Sequence, residues 1–268
     1  MGPGQNAPVG IPPRNKARLT WPTVPMRDLR REPWVFFRPS RNEPVSMPLG
    51  KLASHHIRGA YPAREPANYK EKTPTSGAFW SSTENDLVLY ESLLERQTIM
   101  LADFDTNIVG IISQPFRIVA LVAGRRRFHT PDYALVHMDG EMEIVNCKPH
   151  DHVKKPAVVE LHTWVEAVLG QAGLRHRVVS ELPSQRATNL AFIAHMRNPR
   201  WLMSLPIDVV AAECVEAITL GALVDALAPA LDAPTVIACV RALLWIQVLF
   251  VDLDAPITLN SLLLVSDA

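Results

Sequence analysis

The sequence predicts an α/β protein: a mixed sheet flanked by helices, with a Pro/Arg-rich arm before it and a small helix-and-ribbon domain after it. Three observations lead there. An Asp139-Gly140 turn lies between two short apolar runs, the pattern of a β-hairpin. Residues 157–172 are amphipathic at helical spacing, and a short strand follows at 177–180, so a helix-strand unit extends the sheet. Residues 205–268 then give three helices followed by two strands, a winged helix-turn-helix pattern.

At 268 residues, with 48% hydrophobic residues, the chain has room for a sizeable core in one large or two small domains. It contains no run of 18 apolar residues, so no membrane span is expected. The Pro-rich N-terminus lacks the apolar stretch of a signal peptide. Cys147, Cys214 and Cys239 form no Cys-x-x-Cys pair, which predicts a reduced cytoplasmic protein with neither a disulfide framework nor a zinc site. The net charge of zero is unevenly spread. Residues 202–268 hold eight acids and one base, Arg241, against 26 bases and 19 acids in the rest. The two parts therefore suit different partners.

In chain order, residues 1–80 are expected as an arm. Arg14, Lys16, Arg18, Arg27, Arg30, Arg31, Arg38 and Arg41 alternate there with Trp21, Trp34, Phe36 and Phe37. Such an arm is either flexible with a few apolar anchors or lies along a phosphate backbone. His55-His56 is expected to be solvated. Ser81-Ser82-Thr83-Glu84 resembles a helix cap, placing a helix at 84–103 with Leu87, Tyr90, Leu94, Thr98 and Leu101 on one face. Glu91 and Glu95 share another face. Residues 107–118 read as a strand pair bent at Pro115, and 117–121 alternate like a strand. Arg125-Arg126-Arg127 is expected to turn the chain into the hairpin, either as a phosphate clamp or as a solvated turn. His150-Asp151-His152 has chelating spacing, but a helix start is the favoured reading. Helices follow at 188–196, 208–216, 219–227 (capped by Thr219) and 233–246 (Pro234 in its first turn). Strands follow at 249–253 and 258–264. The third C-terminal helix offers a base edge only Arg241 and, at its end, Gln247, so this acidic domain is expected to dock protein rather than read DNA.

The chemistry concentrates in the hairpin. Asp132 begins its first strand and Lys148 ends its second, so pairing brings them together. Asn146 and Lys148 are two apart and face the same way. An acid facing a polar residue and a lysine suits a metal nuclease, with a hard cation on oxygen and the second pair aimed at the phosphate. Pro131-Asp132 and Asn146-Cys147-Lys148 resemble the PD-(D/E)xK signature of restriction-endonuclease-like nucleases. The alternative is an ordinary surface hairpin.

An ordered series extends the resemblance: Tyr90-Glu91-Ser92-Leu93-Leu94-Glu95-Arg96, Asp103-Phe104-Asp105, Ser113-Gln114-Pro115-Phe116, His129-Thr130-Pro131-Asp132-Tyr133 and Val145-Asn146-Cys147-Lys148-Pro149. Over residues 80–200 it resembles the TnsA-like endonuclease subunit of heteromeric transposases. The resemblance implies a restriction-endonuclease-like nuclease domain at 81–204 and a winged-helix-like domain at 205–268. It implies a Mg²⁺-dependent enzyme (Mn²⁺ substituting) that cuts the non-transferred strand at double-stranded transposon ends, in the bacterial cytoplasm beside the nucleoid. A DDE-type transposase subunit and an AAA+ ATPase regulator are its implied partners. Glu95 takes the catalytic glutamate position, with Glu91 the alternative one turn earlier. Asp132 takes the metal-binding aspartate and Lys148 the catalytic lysine. Cys147 is expected to offer its backbone carbonyl to the metal, and Arg125, Arg126, Arg127 and Lys148 to contact DNA. Asn146 replaces the usual acid: it keeps a neutral oxygen ligand but removes one negative charge. That departure leaves open a catalytically weakened assembly subunit. A free-standing repair or restriction nuclease is a third reading.

Overall fold

The computed structural model describes residues 20–64 and 75–265; Arg14, Lys16, Arg18 and Asp267 lie outside them. The described chain is mixed α/β. It opens with α1 (Met26–Leu29), β1 (Trp34–Ser40), β2 (Glu43–Pro48) and α2 (Ser54–Ile57), followed by β3 (Gly77–Ser81), β4 (Asp86–Tyr90) and α3 (Leu93–Phe104). Five strands come next: β5 (Ile108–Ser113), β6 (Arg117–Val122), β7 (Arg125–His129), β8 (Tyr133–His137) and β9 (Met142–Cys147). Then come α4 (His150–Val153), α5 (Pro156–Gln171), β10 (Arg175–Val179), α6 (Ser184–Ile193) and α7 (Pro199–Leu202). The chain closes with α8 (Ile207–Glu213), β11 (Ile218–Thr219), α9 (Leu220–Leu227), α10 (Ala233–Trp245), β12 (Leu249–Phe250) and β13 (Leu262–Val265).

The sheet that carries the site runs β10-β9-β8-β5; β10 is parallel to β9 and the other pairs are antiparallel. Successive side chains of a strand face opposite ways, and this sheet is covered on both faces. Tyr133, Leu135, Val145 and Cys147 join a core with α3 and α6. Ala134, Val136, Ile144 and Met142 join another with α5, β1 and β6. The β8–β9 turn spans residues 138–141, in which Gly140 has φ 86°, a left-handed conformation that suits glycine.

Several elements differ from the sequence expectation. Residues 34–48, expected within an arm, form β1 and β2 of a second sheet ordered β2-β1-β6-β7. In β1, Val35, Phe36 and Phe37 are all buried, because Val35 and Phe37 enter one core while Phe36 packs with Val24 and Leu29. A strand covered on both faces has no polar alternation to read. Ser81-Ser82-Thr83-Glu84 is a hairpin turn between β3 and β4, not a helix cap. The helix begins eight residues later, at Ser92, whose Oγ accepts the Glu95 N–H at 3.1 Å. Arg125, Arg126 and Arg127 lie in strand β7. The turn before it is Ala123-Gly124, both at positive φ, as in the two-residue hairpins whose twist matches their strands.

The C-terminal helices share a core with the rest. Val236, Cys239, Val240, Leu243, Leu244 and Trp245 of α10 belong to the cluster that contains Ile99, Tyr133 and Val145. Asn189 of α6 donates to the Leu253 and Ala255 carbonyls at 2.8 and 2.7 Å. Among the described residues, no helix is long and apolar enough to cross a membrane.

Candidate active site

Asp132 stands one residue ahead of β8. Its backbone N–H donates to the Val145 carbonyl at 3.2 Å, continuing the β8–β9 ladder. Its carboxylate then turns back onto β9: Oδ2 accepts the Cys147 N–H at 2.7 Å and the Asn146 Nδ2–H at 3.2 Å. Oδ1 takes no hydrogen bond among the described residues. Lys148 ends β9 before Pro149. Its Nζ donates to the Cys147 carbonyl at 2.8 Å and lies 3.7 Å from Asp132 Oδ2. Hairpin pairing therefore brings Asp132, Asn146, Cys147 and Lys148 together.

Glu95 reaches the same region from the first turn of α3. Its Oε2 accepts the Glu91 N–H at 2.7 Å and lies 3.5 Å from Tyr133 Oη, so it doubles as a helix-terminal acceptor. Burial raises its carboxyl above the usual range, the Glu91 N–H opposes the shift, and the nearby Asp132 charge adds to it. Glu91 is engaged elsewhere, in an ion pair with Arg64. Of the two glutamates, Glu95 is the one that contacts Tyr133 and feels the Asp132 charge.

The donors fit a hard cation. Asp132 Oδ1, a Glu95 oxygen and the Cys147 carbonyl are of the oxygen type that Mg²⁺ or Mn²⁺ prefers, and the Asp132 charge near Glu95 calls for a countercharge. The Lys148 ammonium already answers that need by bonding the Cys147 carbonyl beside Asp132. The Cys147 thiol is no nucleophile: it donates to Thr98 Oγ1 at 3.3 Å, and burial pushes it up to about 12.

Asn146 is fully buried, and its orientation differs from the expectation. The amide nitrogen, not the oxygen, faces Asp132. Oδ1 lies 3.0 Å from His129 Nε2 and 3.2 Å from His176 Nε2. His162 of α5 stacks on His176 with ring centres 5.5 Å apart and meets His129 edge-on at 6.1 Å. The spacing of these three histidines carried no signal. His129 was visible only as part of a motif, and His162 and His176 reach it through the packing of α5 and the parallel β9–β10 pair.

The basic strand is partly committed. Arg126 donates to the Val24 carbonyl at 3.0 Å and Arg127 pairs with Glu160 at 2.8 Å, while Arg125 is exposed. His150 and His152 sit in the short α4 as a helix start. His56 Nδ1 accepts the Ala53 N–H at 3.0 Å, so it caps its own turn. No family model matches the sequence, and no curated protein matches it either.

Proposed function

We propose that the chain is a Mg²⁺-dependent DNA endonuclease, the TnsA-like subunit of a heteromeric transposase, with a restriction-endonuclease-like domain that cuts the non-transferred strand at transposon ends. The observation that carries this is the convergence of Asp132, the Cys147 carbonyl and Lys148 at the ends of paired strands, with Glu95 brought alongside by α3. Asp132, Glu95 and the Cys147 carbonyl would hold the ion, which supplies a Lewis acid and a countercharge for phosphodiester hydrolysis. Lys148 orients the attacking water and balances charge that develops on the phosphate. Arg125, on the exposed edge strand leading to Asp132, contacts the DNA backbone, joined by Arg126 and Arg127 to the extent their structural bonds allow.

Within this reading, residues 205–268 are a winged-helix-like module that docks a partner protein, the DDE-type subunit or the AAA+ ATPase. Both polar groups that might have read bases are turned inward. Arg241 Nε donates to the Phe192 carbonyl at 2.8 Å, and Gln247 Nε2 donates to the Phe104 carbonyl at 2.6 Å. Adjacent reading frames for a DDE integrase and an AAA+ ATPase would support the assignment.

The test is nicking of transposon ends by the protein assembled with its transposase partner. Asp132→Ala lowers the rate by at least about 10³-fold, the several kcal/mol a metal ligand supplies, with an unchanged circular dichroism spectrum. Nicking by Asp132→Ala at the wild-type rate would remove the assignment.

The second reading is a non-catalytic assembly subunit, favoured by the Asn146 oxygen being occupied by two histidines. Titration calorimetry separates the two: absence of Mg²⁺ or Mn²⁺ binding at millimolar concentration, with and without DNA, selects the assembly subunit.

A further inference from the structure

We propose that His129 and His176 are positioning residues: together they hold the Asn146 amide with its nitrogen on Asp132, so that Asn146 serves the carboxylate as a donor and does not serve a cation as a ligand. Its catalytic consequence rests on the nuclease reading; the orientation itself does not.

The argument is one of hydrogen-bond complementarity. An amide offers two donors at nitrogen and two acceptor sites at oxygen, whereas an ionised carboxylate only accepts. Asn146 lies between Asp132 Oδ2, 3.2 Å from Nδ2, and the two imidazoles, 3.0 and 3.2 Å from Oδ1. Whether neutral or protonated, an imidazole that bonds Oδ1 through Nε2 must carry a proton there. Reversing the amide would set its oxygen against Oδ2. It would also require both rings to move their proton to Nδ1 and accept from Nδ2. One turn of a side chain would thus cost two tautomer changes and a repulsive contact in a fully buried place, where unmatched polar atoms are most costly.

The rings are themselves held. His129 ends β7 and His176 lies on β10, so the two donors come from different sheets. His162 stacks on His176 and meets His129 edge-on, and Trp164 packs edge-on to His129 at 6.1 Å. The result is a chain of contacts from two imidazoles through Asn146 to Asp132 Oδ2. With the Cys147 N–H on the same oxygen, it fixes the carboxylate and leaves Oδ1 for a cation. An acid at position 146 would receive the same two N–H groups but turn an oxygen toward Asp132.

Two measurements test this on the full chain. Long-range ¹H–¹⁵N correlation spectra of the histidine rings report which nitrogen is protonated. The expected result is a proton at Nε2 of both His129 and His176, without metal and with saturating Mg²⁺. A ring protonated at Nδ1 alone, or converted to that form by Mg²⁺, overturns the proposal. The second measurement is the Mg²⁺ concentration for half-maximal nicking in the partner-assembled protein. His129→Phe removes the donor and raises this midpoint about tenfold, with a smaller fall in the saturating rate. His129→Gln, which keeps an N–H, stays close to wild type. His176→Phe and His176→Gln repeat the comparison from the half-buried ring on the edge strand. Unchanged midpoints in the folded phenylalanine variants overturn the proposal. If the wild type neither binds Mg²⁺ nor nicks DNA, the nuclease reading falls, and the ring spectra still decide the orientation of Asn146.

Discussion

Asp103 holds the β3–β4 turn through four hydrogen bonds. Its carboxylate accepts from Ser81 Oγ at 2.6 Å, Ser82 N and Oγ each at 3.1 Å, and Thr83 N at 2.8 Å. A buried acid is tolerated where donors surround it. Asp103→Ala would strand those donors, and we expect a loss of about 3 kcal/mol or more, read from urea unfolding. His162 is the opposite case: both ring nitrogens are buried without a hydrogen-bond partner among the described residues. Burial, reinforced by His176 and Lys148, pulls its pKa from 6.5 down to about 4. The folded value lies below the unfolded one, so the neutral ring's contribution is complete above about pH 6.5. It falls away as pH drops toward 4. Burial also lowers the pKa of His129 and of His176, so protonating either ring opposes folding in the same direction. His162→Phe should therefore keep or raise the melting temperature at pH 7.5 and reduce its fall at pH 5. An unchanged pH dependence in that variant would assign the acid sensitivity to other groups.

At the level of single elements, caps and turns carry the site. Ser92 starts α3 by accepting the Glu95 N–H, and the Glu95 carboxylate reaches back to the Glu91 N–H. Ser92→Ala should cost about 1 kcal/mol and also loosen Glu95, so the nicking rate should fall more than stability alone explains. The β6–β7 hairpin gives the reverse expectation. Ala123 adopts φ 47° ahead of Gly124 at 75°, and Asn-Gly is the pair that favours this turn. Ala123→Asn should raise stability by roughly 0.5–1 kcal/mol, visible as a higher melting temperature, with no effect on nicking. The elements legible from sequence were those with local signals. The β8–β9 hairpin, α5, α9 and α10 were all visible in turns, apolar spacing or caps. The start of α3 was misplaced because Leu87 and Tyr90, read as part of the helix stripe, belong to strand β4, and the hydroxyls at 81–83, read as its cap, sit at the β3–β4 turn.

Across the whole molecule, one apolar cluster runs from α3 and β8 through α6 into α8, α9 and α10. A fragment ending at residue 204 would expose the faces that meet Val236, Val240, Leu243 and Trp245. We expect it to bind hydrophobic dyes and to lose cooperative melting. The docking role proposed for the C-terminal part is therefore better tested by charge than by deletion. Asp208, Glu213 and Glu216 are exposed. Reversing all three to Lys should leave the melting temperature within a few degrees while abolishing co-purification with the partner subunit, because complementary charge steers such encounters. Retained co-purification would place the docking surface elsewhere.

Much of the site could be read along the chain. Asp132 and Lys148 were brought together by a hairpin whose turn is written in Asp139-Gly140, and Glu95 was one of two glutamates read on the expected helix, although only Glu95 lies in α3. Those features depend on residues near one another in sequence, where backbone sterics and side-chain alternation act directly. Only the fold shows Glu91 paired with Arg64 and Glu95 held beside Tyr133, and Asn146 turned with its nitrogen to Asp132 and its oxygen to His129 and His176. It also moved residues 34–48 into a sheet and drew α10 into the common core. Each of these rests on contacts between distant segments, and a hydrogen-bond donor arriving from another strand leaves no mark in the spacing of the residues it orients.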